Sequence, residues 1–473
     1  MKKIFAVLGI VLMGAVFSGC QKKEEPVRIV PAGQIARMQV WTSREGETID
    51  ALAREFVSAV QIPGLLIDVV SFDSDEILQR ELVDKLAEGT GPDVVLTDGE
   101  WIASNTEKLI PLEQEEGFGV SEYGASFVRL ASELLIQNND IYGVPLSVDT
   151  LAIAYNEEHL IDRLLNRNQP GRTWTEFRQD VELLTKQDNS FSRFARSGVA
   201  MGRTDNIHHG AILLENIMLQ HGTPFFSEDG TDAKFASTMG VTPEGKRQNF
   251  GIEGVNFFTS FANSQYKNFS WNQHLASRDD VNREFVPFVN GDVSMVFIYP
   301  EDMETLQKLI ASNKSLLSGT ISEKNMHVAL LPQILDPENS TSRVILGQLF
   351  AGAVPRMTPF PDQAWRFLKY LSKKDTQSGF HDATKLPTAR LDLIVEQAAE
   401  PEMGIFARQA KFARSNLIPT DKNVFREQLE TVVQRVNDGE DSEKLLRALE
   451  TEMTYERQEE LRREKMIKRD IQK

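Results

Sequence analysis

The sequence predicts an α/β protein in two lobes, on two observations. Its apolar residues switch repeatedly between the period of a strand and that of a helix, and its 473 residues exceed what one hydrophobic core organises. The switching starts at Met38. Met38 to Thr42 suits a strand, and from Thr48 to Val60 the residues Ile49, Leu52, Phe56, Val57 and Val60 recur on one helical face. Leu65 to Phe72 returns to a strand. Ser74 to Glu88 reads as a helix with Ile77, Leu78, Leu82 and Leu86 inward, and Gly89-Thr90-Gly91-Pro92 stops it. Asp93 to Thr97 is a short apolar strand. Strand, helix, strand, helix, strand is the order of parallel βαβ units.

Further along, helices are expected over Trp174 to Leu184, Ile212 to Gln220, Gly254 to Ala262 and Asp362 to Leu371, and strands over Val293 to Ile298 and Val344 to Val354. From Asp421 the chain reads as helical nearly to its end. Residues 452–473, mixed in charge and almost without an apolar stripe, read as a solvated helix or frayed tail.

Lys2 and Lys3, the apolar run Ile4 to Phe17, and the small residues Ser18 and Gly19 before Cys20 follow the order of a secretory signal. The run is shorter than the roughly 20 residues that span a bilayer. Cys20 is the only cysteine, which leaves no disulfide framework and no thiolate metal site. The segment resembles a bacterial lipobox. That resemblance implies a signal peptide over residues 1–19, a lipid on Cys20 and attachment to the cell membrane. Polar residues 20–37, with Pro26 and Pro31, then form a flexible tether.

The net charge of −17, with no basic patch, excludes nucleic acid as a partner class. Gly240-Val241-Thr242-Pro243-Glu244-Gly245-Lys246-Arg247 falls short of a phosphate loop, because Arg247 stands where a Ser or Thr must hold magnesium. His208, His209 and His221 lack a carboxylate pair at ligand spacing. No nucleophile elbow and no His-Glu-x-x-His occurs. The expectation is a chain without cofactor or metal that is not an enzyme. A secreted glycan hydrolase, with two carboxylates flanking a sugar, stays open as an alternative.

In open parallel sheets, ligands bind beyond the carboxyl ends of the strands. Those ends are Trp41-Thr42-Ser43-Arg44 and Asp98-Gly99-Glu100-Trp101. Each sets a tryptophan beside hydroxyl or carboxylate groups, which suits a polyol: its C–H faces stack while its hydroxyls are paired.

Five stretches in order are similar to the solute-binding proteins of ABC importers, in the branch that includes maltose- and other sugar-binding proteins. Ile141-Tyr142-Gly143-Val144-Pro145 leading through Asp149-Thr150 to Tyr155-Asn156 resembles the family's crossing strand. Pro92-Asp93-Val94-Val95 with Leu109-Ile110-Pro111-Leu112, Arg172-Thr173-Trp174-Thr175-Glu176-Phe177 and Phe288-Val289-Asn290-Gly291-Asp292-Val293-Ser294-Met295 resemble three more of its motifs. The fifth runs from Ala364-Trp365-Arg366-Phe367-Leu368 to Leu386-Pro387-Thr388-Ala389-Arg390. The resemblance implies a periplasmic-binding-protein-like fold of type II, two α/β lobes joined by hinge strands and closing on a small-molecule solute for delivery to a permease. Mapped here, lobe 1 is residues 37–147 and 354–400, and lobe 2 is residues 148–353 and 401–451. The implied ligand-binding set is Trp41, Arg44, Asp98, Trp101, Asp149, Arg203, Trp271 and Tyr299. Unpaired carboxylates among them favour a neutral carbohydrate through its hydroxyls, with a cationic solute such as a polyamine or peptide as one alternative and, given Arg44 and Arg203, an anionic sugar as another.

Overall fold

The computed structural model describes residues 36–471 except 61, 116, 165–166, 189–193, 242–244, 314–319, 336–342 and 417. The expected signal peptide, Cys20 and nearly all of the tether lie outside the described residues. Among the described residues the first strands are three parallel ones, β1 (Ala36–Thr42), β2 (Leu65–Ser71) and β3 (Val94–Asp98), with β1 in the middle. Pairing runs Met38↔Ile67 on one edge of β1 and Trp41↔Val95 on the other. β1 begins two residues before the apolar pattern does, because Ala36 already pairs with Leu65.

Helices α1 (Gly46–Val60) and α2 (Asp75–Glu88) make the crossovers. Ile49, Leu52 and Phe56 are buried on α1, and Leu78 and Leu82 on α2. Ser74 caps α2 by accepting from the Ile77 N–H at 3.2 Å, and Gly89 ends it at φ 71°, a left-handed conformation that glycine adopts without steric cost. The predicted helix Trp174–Leu184 has the predicted ends, fixed by a capping box between Thr173 and Glu176.

The first sheet is mixed, within the parallel or mixed sheets flanked by helices that the resemblance implies. Ile345–Ala353 runs antiparallel against β3 (Phe350↔Asp98, Ala353↔Val95) and antiparallel against Gly143–Thr150 (Gly347↔Thr150, Ala353↔Gly143). Residues 345–353, mapped to the second lobe from the sequence, are thus hydrogen-bonded into the first sheet. Ala413–Arg414 joins the same strand in parallel at Ile345 and Leu346.

A single residue, Leu151, separates Gly143–Thr150 from Ala152–Asn156, the central strand of a second sheet. There Ala152–Asn156 pairs antiparallel with Met295–Ile298 and Met326–Ala329. The chain therefore passes between its two sheets with almost no slack. Gln409 holds the passage, its amide donating to the Leu151 carbonyl at 2.9 Å.

The expected continuous C-terminal helix is two helices, Lys422–Asn437 and Ser442–Ile471, broken at Gly439 (φ 99°). The second has 30 residues, about 45 Å at 1.5 Å per residue. Its first half packs through Leu445, Leu446, Leu449 and Met453, and Thr454 accepts from the Ala233 N–H at 3.0 Å. Among the described residues no helix is long and apolar enough to cross a membrane.

Candidate ligand cleft

At the carboxyl ends of β1 and β3, three polar segments meet. Asp98 starts the short helix α3 (Gly99–Ser104), its Oδ1 accepting from the Glu100 N–H at 2.9 Å. A Cβ on Gly99 would lie 2.9 Å from the Leu349 side chain, so glycine lets α3 begin this close to Ile345–Ala353. Asp75, the first residue of α2, accepts on Oδ1 from Ser43 Oγ (2.6 Å) and Thr97 Oγ1 (2.8 Å). Arg44 joins this group to the passage between the sheets. Its guanidinium lies 3.5 Å from Asp75 Oδ2 and donates to Asp149 Oδ2 at 2.8 Å.

The C-terminal helix Lys422–Asn437 closes the other side. Lys422 Nζ sits 2.7 Å from Asp98 Oδ2 and 2.8 Å from Glu100 Oε2, while Ser415 Oγ donates to Glu100 Oε1 at 2.9 Å. One turn on, Arg426 Nε donates to Glu215 Oε1 at 2.6 Å, and Asn416 Nδ2 donates to Glu215 Oε2 at 2.9 Å. Asp421 caps this helix by accepting from the Asn423 N–H at 2.9 Å, which aims Lys422 at the ends of the first sheet.

Burial and pairing oppose each other throughout the cleft. Burial works to raise the Asp98 pKa, but the Lys422 ammonium outweighs it and holds the carboxyl below its ordinary value. Burial works to lower Lys422, Arg44 and Arg426, and the carboxylates around each outweigh it and raise them. Asp149 goes the other way: burial pushes it up to about 6 against the pull of Arg44, with Glu301 adding to the rise. Burial likewise pushes the Tyr299 phenol well up. Asp149 Oδ1 and the Tyr299 hydroxyl are buried without a hydrogen-bond partner.

The structure therefore brings Arg44, Asp98 and Asp149 into one charged network, with Tyr299 close enough to feel Asp149 and Arg426. It corrects the reading of Asp98 and Asp149 as unpaired, since each holds a cation. Trp101, on α3 next to Glu100, is half-buried. Trp41 is 7% exposed and packs on Phe72 at 5.0 Å, so most of its face is spent in the core. Trp271 is 0% exposed, in the smaller core cluster with Phe285 and Phe288, and its Nε1 donates to Asn206 Oδ1 at 2.9 Å. It presents no face to a solute. Arg203 forks onto Asp205 at 2.8 and 2.6 Å, and its loop packs on the C-terminal helix through Asn437 and the Gly202 carbonyl.

The sequence reading missed Glu100 as a site residue, along with Asp75, Glu215, Lys422 and Arg426. One signal was present. Lys422 and Arg426 lie on the helical face that continues as buried Leu429 and Val433, and charges on a buried face need partners.

Two sheets flanked by helices and joined through a one-residue passage, with a buried cluster of charged groups at the strand ends of the first, are the architecture of a two-lobed α/β protein. The chain belongs to the bacterial extracellular solute-binding protein family, whose model matches residues 41–378. Solved structures agree in fold. The sugar-binding protein MalE from the phytopathogen Xanthomonas citri superposes with a TM-score of 0.72 at 16% identity, over 90% of this chain and 98% of that one. A cyclo/maltodextrin-binding protein complexed with maltotetraose gives a TM-score of 0.66 at 18% identity over 90% and 98%. An ABC transporter solute-binding protein from Thermotoga lettingae TMO bound with alpha-D-tagatose gives 0.62 at 19% over 89% and 99%.

Proposed function

We propose that this chain is the extracytoplasmic solute-binding subunit of an ABC importer, held to the membrane by a lipid on Cys20. In this reading it binds a neutral carbohydrate between its lobes and delivers it unchanged to the permease. Lobe 1 is residues 37–147 and 354–400 with the sheet residues 148–150, 345–353 and 413–414 added, and lobe 2 the remainder to 451.

The observation that supports a hydroxyl-rich ligand is that Asp149 Oδ1 and the Tyr299 hydroxyl, at the passage between the sheets and just after the strand Met295–Ile298, are among the buried polar atoms without a hydrogen-bond partner. Leaving such a buried group without a partner costs about 1–3 kcal/mol. A sugar hydroxyl, donor and acceptor at once, meets either need, and Trp101, half-buried on α3 next to Glu100, is the candidate apolar face. The carbohydrates named for solved structures of the same fold point the same way.

A thermal-shift screen of neutral saccharides, polyamines and sugar phosphates tests the ligand class. A saccharide at 100 times its dissociation constant should add roughly 2.7 kcal/mol. Stabilisation by polyamines alone would replace the carbohydrate reading, and a saccharide recovered cleaved would replace the binder with a hydrolase. Lipid-precursor labelling of the wild type but not of Cys20→Ser is the expected result for the anchor.

A further inference from the structure

We propose that Lys422 is a resident cation that sets the charge selectivity of the cleft: its ammonium fills the place between Asp98 and Glu100 where a cationic solute group would otherwise be held. The selectivity claim rests on the reading that solute occupies this crevice. The placement of the ammonium does not.

Two carboxylates, Asp98 and Glu100, stand two residues apart at the end of β3, where an open α/β sheet takes its ligand. Both side chains are largely buried, 19% and 13% exposed. Alone, such a pair would attract a cation strongly, because burial removes the water that would otherwise solvate the charges. The chain supplies that cation itself. Lys422 Nζ lies 2.7 and 2.8 Å from the two carboxylates, and its side chain is only 14% exposed. It arrives from a helix outside the residues that the family model matches. Beyond it, Arg44 serves Asp75 and Asp149, and Arg426 serves Glu215. Each of these five carboxylates thus has a cation of the protein's own, Glu100 Oε2 through ion-pair contact at 2.8 Å rather than a directed hydrogen bond, whereas Asp149 Oδ1 and the Tyr299 hydroxyl are buried without a hydrogen-bond partner and suit hydroxyl partners. A solute bringing an amine would have to displace Lys422 or stand beside it, and like charges that close repel.

The test uses the full chain and two variants. Lys422→Ala removes the ammonium and its stem. Its melting temperature should fall and then recover saturably with added n-propylammonium, while n-propanol gives no recovery and the wild type does not respond. In Lys422→Met, which keeps the stem, the preference for D-glucosamine over D-glucose, or for spermidine over a neutral saccharide, should rise by about tenfold or more. Lys422→Arg should keep the wild-type preference. Absence of n-propylammonium rescue in folded Lys422→Ala, or an equal response of the wild type, overturns the proposal. If Lys422→Ala does not fold, unchanged amine preference in Lys422→Met overturns it instead. A wild type that binds no saccharide would remove the carbohydrate reading and leave the rescue experiment standing.

Discussion

Two buried carboxylates each meet an arginine in this cleft, and they differ in what is left over. Glu215 is fully buried and both its oxygens are occupied, Oε1 by Arg426 and Oε2 by Asn416. Asp149 is nearly as buried, yet only Oδ2 is occupied, by Arg44, and Oδ1 faces no donor. Both oxygens of the first are engaged within the protein, so Glu215 ties the helix Lys422–Asn437 to the helix Gly210–Gln220. The unsaturated one keeps an acceptor in reserve at the passage between the sheets. Satisfaction rather than burial is what distinguishes the two carboxylates.

The largest effect should come from the saturated pair. Glu215→Ala leaves Arg426 buried without its partner and should cost about 3–5 kcal/mol of stability, read by denaturant unfolding. A loss below about 1 kcal/mol would break the contrast.

Asp149→Asn should show itself through pH. Burial raises the Asp149 pKa to about 6, so the folded protein holds that proton more tightly than the unfolded chain does. The group's contribution is therefore complete below its unfolded value near 3.8 and is lost as pH rises through about 6. Stability of the wild type relative to Asp149→Asn should fall between pH 4 and pH 7, by about 3 kcal/mol at most. Parallel unfolding curves across that range would contradict the assignment.

On the ligand side, Trp101→Ala should weaken saccharide binding by about 1–3 kcal/mol in calorimetry with little change in melting temperature, as loss of a contact face would. The reverse pattern would make Trp101 a core residue like Trp271. At the small end, Arg54→Ala removes an exposed pair with Asp50 on α1 and should change stability by no more than about 0.5 kcal/mol in the same unfolding assay.

Much of the fold was legible because period is local. The run β1, α1, β2, α2, β3 follows from alternation and caps written within a few residues of each other. The partner of Ile345–Ala353 was not, since an apolar run of nine residues does not say which sheet it enters. Of the cleft, the lobe-1 strand ends were readable because the topology of parallel sheets places them. Trp271 misled because a tryptophan beside Ser270 and Asn272 reads the same whether its indole N–H meets a solute or, as here, Asn206. Lys422 stayed hidden because its partners stand 324 and 322 positions earlier, beyond any local pattern.

That separation has a consequence for how the molecule comes to exist. The Asp98–Lys422 contact spans 324 residues and the Glu215–Arg426 contact 211. Contacts that close such long loops must wait for the nearer ones, because ordering the intervening chain is costly until the two sheets are built. The first sheet can pair β1, β2 and β3 while Asp98 and Glu100 still face water, and the cluster becomes electrically complete only when the helix Lys422–Asn437 docks. The cations that complete this charged network are synthesised well after its acids, so a chain cut short at the end of the matched family region would carry Asp98, Glu100 and Glu215 without Lys422 and Arg426.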